Sequence, residues 1–140
     1  MSLPNDFASN LEKVQNYGIL DEGPTQIRNR LVLSLHGVAA TQSTGTVDLG
    51  PLDWAGTLLH DFDVAVHEEI CDPQGGCLKK EYKDLLTQGL SANGIASVAA
   101  VVLKVVATIN PAFAVSSVGI YMAVWLLKVG LNYWCGQAEK

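Results

Sequence analysis

From Leu85 to Ala138 the chain has no acidic residue and only two charged ones, Lys104 and Lys128. That depletion excludes an ordinary solvent-washed exterior for this part, because exposed helices carry charge along their outer face. Charge is scarce overall, at 16% of residues against about a quarter in globular proteins. With a mean hydropathy of +0.22, intrinsic disorder is excluded, since disorder needs low hydrophobicity and high net charge. Nine Lys and Arg face fourteen Asp and Glu, a net charge of −5. No nucleic-acid partner is expected, because phosphates require a basic face. Cysteine is limited to Cys71, Cys77 and Cys135, an odd number that provides no disulfide framework. The start, Met1-Ser-Leu-Pro-Asn-Asp6, lacks the basic and apolar stretches of a signal peptide. A cytoplasmic location is the expectation, with membrane association if the apolar part inserts.

Motifs for catalysis are also missing. Ser34 and His36 are neighbours, but no Gly-x-Ser-x-Gly elbow accompanies them. Gly75-Gly76 leads into Cys77, not into the Gly-Lys-Ser/Thr of a phosphate-binding loop. Asn110-Pro111-Ala112 is the tripeptide of aquaporin pores, yet it occurs once where those channels need two. His60, Asp63, His67 and Cys71 share one side of a helix and invite a zinc reading, with Cys77 to complete the shell. The spacing H-x6-H-x3-C-x5-C matches no standard zinc motif, and a polar helix face is the plainer account. No enzyme, metal or cofactor is expected. Cys71 and Cys77 flank a turn-rich loop that can join them on oxidation; reduced thiols are the expectation in a cytoplasm.

What is present reads as helix almost throughout. Residues 1–84 carry six basic and thirteen acidic side chains, a net of −7. Phe7, Leu11 and Val14 recur at i, i+4, i+7 and predict a first amphipathic helix over 5–17. Pro24 opens a second, with Ile27, Leu31, Leu35 and Val38 on one face; Leu31, Leu33 and Leu35 also alternate as in a strand, but helix is preferred. Residues 40–50 read as a loop. Trp54, Leu58, Phe62, Ala65, Val66 and Ile70 predict a third helix over 51–70, and Leu78, Tyr82, Leu85, Leu86 and Leu90 a fourth. The expected fold is a single all-α domain over 1–140, a bundle of about six helices. Acidic amphipathic helices (1–84) surround a C-terminal apolar helical hairpin (85–140).

The hairpin limbs are read as Ser91–Ile109 and Ala112–Trp134, parted by Asn110-Pro111. Helices of that length are about 30 Å long, the thickness of a bilayer's hydrocarbon core. Lys79, Lys80 and Lys83 precede the pair, and Tyr133 and Trp134 end it, as interface anchors do. Energetics temper the insertion. Eight Leu, Ile or Val in the first limb favour it by roughly 0.3–0.6 kcal/mol each, while one central lysine costs roughly 2.5–3.5. Asn93, Ser97, Lys104 and Thr108 form a polar stripe on the first limb, and Ser117, Tyr121, Lys128 and Asn132 repeat its spacing on the second.

The layout resembles that of the pore-forming colicin domains, where amphipathic helices wrap an apolar hairpin; no motif is shared. Two functions compete. One is a membrane-active protein (toxin, defence effector or channel-like element) whose partner is a lipid bilayer. The other is an interaction module with the hairpin as its buried core, bound to a protein partner or to a second copy of itself. A zinc or redox site at the end of the third helix comes third.

Overall fold

The computed structural model describes residues 4–42, 53–72, 78–85 and 89–137. The protein is an all-α bundle, with six α-helices among the described residues: α1 (Phe7–Asn16), α2 (Pro24–Gln42), α3 (Asp53–Ile70), α4 (Ala92–Ile109), α5 (Ser116–Val129) and α6 (Leu131–Gln137). Their apolar faces meet in one core. From α1 it takes Phe7, Leu11 and Val14, and from α2 it takes Ile27, Leu31 and Leu35, none of the last three accessible to solvent. Phe62, Val66 and Ile70 enter it from α3. Burying each such side chain contributes about 1.5–3 kcal/mol.

At the centre lies α5. Ser116, Val118, Gly119, Ile120, Met122, Ala123, Val124 and Leu126 are all buried, and the helix packs on α1, α2, α4 and α6. Ser116 Oγ satisfies itself by donating to Asp6 Oδ1 at the start of α1. Helix α4 begins at Ser91, whose Oγ accepts from Gly94 N at 3.0 Å, and ends where Asn110 turns extended ahead of Pro111. Gly119 lets α4 and α5 approach closely: a Cβ there would lie 2.8 Å from Leu103 Cγ.

Four local expectations need correction. Cys71 is not a reduced thiol but bonds to Cys135, and so is not joined to Cys77, which lies outside the described residues. The cause is tertiary: α6 folds back on the end of α3 and brings the two Cα atoms to 5.5 Å, within disulfide reach. The fourth helix expected from Leu78 does not begin there: a 3-10 turn occupies Lys80–Tyr82, and helical backbone is reached only at Leu85. Leu78 instead pairs its backbone with Cys71, and Lys79 N donates to Ile70 O at 2.8 Å, which holds this segment extended. Leu85 is buried, while Leu86 falls outside the described residues. The second limb is not one helix over 112–134: a 3-10 turn occupies Pro111–Phe113, and Gly130, at φ +98°, separates α5 from α6. Few residues but glycine adopt that backbone, so the break is local and encoded. Finally, α2 runs to Gln42 through the start of the expected 40–50 loop, the rest of which lies outside the described residues. Ala39-Ala40 gives it strongly helix-forming sequence to do so.

Two outcomes follow for stability. Gly119→Ala should cost about 1–3 kcal/mol by overpacking, and Leu103→Ala in the same chain should give less than the sum of the two single losses, by urea unfolding. Cys135→Ser should lower stability by about 4 kcal/mol, the loop-closure entropy for a separation of 64 residues, and excess reductant should reproduce the loss in the unmutated chain.

Candidate functional site

The two polar stripes serve different neighbours. On α4, Asn93, Lys104 and Thr108 are exposed and Ser97 is half-buried. Lys104 Nζ stands 3.9 Å from Glu69 Oε2 of α3, and Tyr82 donates its hydroxyl hydrogen to the same carboxylate oxygen. Burial, followed by the bond to Glu69, pushes the Tyr82 phenol up to about 12. Thr108 Oγ1 donates to Val105 O at 2.6 Å and so spends its hydroxyl on its own helix.

The stripe on α5 turns toward α2 and α1. Ser34 Oγ donates to Ser117 Oγ, joining α2 to α5. Arg30, on the same side of α2, donates through Nε and Nη2 to Glu22 at 2.6 and 2.7 Å. The bond to Arg30 holds the Glu22 carboxyl below its ordinary range, and Lys128 adds to the effect. The Arg30 guanidinium is in turn raised by Glu22 and, to a lesser degree, by Tyr121. Ser117 and Tyr121 thus lie beside Arg30, and Lys128 is within electrostatic reach of Glu22; the side chain of Asn132 lies outside the described residues.

Above this seam two adjoining depressions share Arg30, Ser117 and Tyr121. The first, of about 300 Å³, is lined further by Asn10, Lys13, Val14, Tyr17, Ile19 and Ile120. The second, of about 280 Å³, adds Leu33 and Ser34. Tyr17 and Leu33 flank the groove at 74% and 70% exposure. Sequence periodicity did carry a signal for both. Tyr17 falls outside the Phe7–Leu11–Val14 stripe, and Leu33 lies about 200° round a helix from Leu31, opposite the core face. Arg30 carried none, because its partner Glu22 precedes the helix.

The expected interface anchors are dispersed. Tyr133 is exposed at 63%, but Trp134 is buried edge-on against His67 and Trp125. Lys80 and Lys83 are exposed and Lys79 is half-buried. Of the zinc candidates, His67 Nε2 lies 3.0 Å from Cys135 O, Cys71 is in the disulfide, and Asp63 pairs with Arg28. Among the described residues no three His, Cys, Asp or Glu side chains gather as a metal requires. Arg28 also stacks over Trp125, 4.1 Å from the ring centroid, so one guanidinium links α2, α3 and α5. Burial raises the Asp63 carboxyl above its ordinary range, and Arg28 offsets only part of that cost.

No protein-family model, no curated protein and no solved structure matches the chain.

The two carboxylates should act on acid stability with opposite signs. Glu22, depressed when folded, contributes stability above its ordinary value near 4.5 that is lost as pH falls through the folded value. Asp63, raised when folded, gives the reverse: the folded state gains as pH falls through the raised value toward 3.8. Melting curves from about pH 7 to about pH 3 should therefore find Glu22→Gln less acid-sensitive than the parent chain, and Asp63→Asn more so.

Proposed function

We propose that the chain is a non-catalytic helical module that works by protein contact, with the apolar hairpin serving as its own core. One observation carries this reading. Helix α5, the more deeply buried limb, has fourteen residues, about 21 Å, against the roughly 30 Å of a bilayer's hydrocarbon core. Gly130 ends it there, and its polar stripe is already used against α1 and α2. Exposed Tyr17 and Leu33 beside Arg30 supply residue types that dominate protein interfaces. The Cys71–Cys135 bond supports residence in an oxidising compartment, in place of the cytoplasm, because thiols stay reduced there.

A second reading keeps the membrane-active protein, and one feature favours it. Helix α4 is 18 residues long and apolar enough to cross a bilayer, and only 44% of it is buried. On that reading the hairpin leaves its sheath and inserts, with α4 as the leading span.

Fractionation without detergent, followed by a carbonate wash, separates the two. The module reading expects the protein in the soluble fraction and no dye release from anionic vesicles, with or without reductant. Protein retained in the washed membrane pellet, or vesicle leakage, overturns it. Lys104→Glu is a control, since an exposed pair is worth about 0–1 kcal/mol and its loss should leave the module folded.

A further inference from the structure

We propose that the groove between α1, α2 and α5 binds an apolar, carboxylate-bearing peptide segment of a protein partner. The inference rests on the interaction-module reading and adds the partner's chemistry to it.

The argument begins with charge. In a chain of net charge −5, the residues lining the groove include two cations, Lys13 and Arg30, and no acid. Among the described residues Lys13 has no ion-pair partner. Glu22 engages two of the five N–H groups of Arg30 and so fixes the plane of the guanidinium, while the rest face Tyr121 and the groove. Lys128 stands close enough to Glu22 to act on its ionisation, so two cations, Arg30 and Lys128, bear on this one carboxylate, while Lys13 in the groove lining is a third positive charge. A cationic groove on an acidic protein selects an acidic ligand and repels a second basic surface.

Shape and polarity narrow the class. Tyr17 and Leu33 present large apolar surface to solvent on either side of a floor that contains Tyr121 and Ser117. Each depression, at about 300 and 280 Å³, has room for one or two side chains and not for a folded domain. The occupant is therefore a segment that inserts apolar side chains beside the aromatic ring and sets a carboxylate on Lys13 or Arg30. An anionic bilayer fits less well, because a flat surface would leave the depressions unfilled and meet the repulsion of the acidic remainder.

The test is selection from a random peptide library displayed on phage, with the oxidised full chain as bait and its Lys13→Glu/Leu33→Glu variant as counter-bait. Both positions lie outside the core, and a melting curve for the variant verifies that it folds. Selected peptides should be enriched in Asp or Glu together with Leu, Phe or Met. A synthetic copy should bind the parent chain at least tenfold more tightly than the Lys13→Glu variant and the Tyr17→Ala variant. Peptides without acidic enrichment, or with equal affinity for parent and counter-bait, overturn the proposal. So does a parent dimer, seen by sedimentation velocity, that Leu33→Glu dissociates, for the occupant is then a second copy. Binding to vesicles of 30% phosphatidylglycerol that Lys13→Glu abolishes assigns the groove to lipid and overturns it as well. A failed selection with soluble, folded bait sinks the groove assignment alone, whereas retention in the carbonate-washed membrane sinks the module reading beneath it.

Discussion

An apolar helix enclosed on nearly every side requires partners on nearly every side, and α5 sets that requirement for the whole bundle. Eight of its fourteen residues are buried, and they do not fall on a single stripe. One amphipathic helix could not cover such a surface. Helices α1, α2, α4 and α6 each contribute a face, and the acidic first part of the chain supplies two of them. The segregation of charge along the sequence is the one-dimensional trace of this arrangement. Charged side chains that coat the exterior lie mostly in the first part, which also lends its apolar faces to the core, while the most enclosed helix comes from the second.

Enclosure raises the question of where the polar atoms of the core helices go, since a buried polar group without a partner is costly. The structure resolves it locally, one atom at a time. Ser116 bonds Asp6 and Ser117 bonds Ser34, so α5 is joined to the start of α1 and to α2 by hydroxyl contacts. Arg28 answers two needs at once, neutralising Asp63 and covering the face of Trp125. The polar stripe of α4 lies nearer the surface: Asn93, Lys104 and Thr108 are exposed, Lys104 faces Glu69, and Thr108 bonds its own helix. Two stripes with the same spacing thus have different fates, set by how many helices cover each limb.

That difference marks what the sequence could reveal. Helices α1 to α4 were legible because each has one dry face, and a 3.6-residue period records it directly. The chain reversal was legible from Asn110-Pro111. The break at Gly130 was not, for the apolar pattern continues through Leu131 and Trp134 as though the helix did. Pairing of Cys71 with Cys135 depends on α6 returning to α3, a long-range event that spacing does not encode. The segment after Leu78 misled for a related reason: its apolar spacing is helical, but backbone pairing with Cys71 fixes Lys79 in an extended conformation. The groove was half legible. Leu33 on the wrong side of α2 points to it, while Glu22 and Arg30 meet only once the chain has turned between α1 and α2.

The same contacts that enclose α5 also hold it at both ends. Near its first turn, Ser116 is bonded to Asp6; beyond its last, α6 is joined covalently to α3 through Cys135. Extracting the hairpin would require both attachments to yield as well as the burial of the intervening face to be lost. A helix so restrained is a stiff floor for anything built on it, and Ser117 and Tyr121 of the groove belong to that helix. Arg30 is restrained separately by its two bonds to Glu22. Binding on a surface whose floor and principal cation are already ordered avoids much of the entropy loss that association otherwise incurs. The enclosure of the apolar helix, which first reads as a way to hide apolar surface, is thereby also what stiffens the polar seam it shares with α1 and α2.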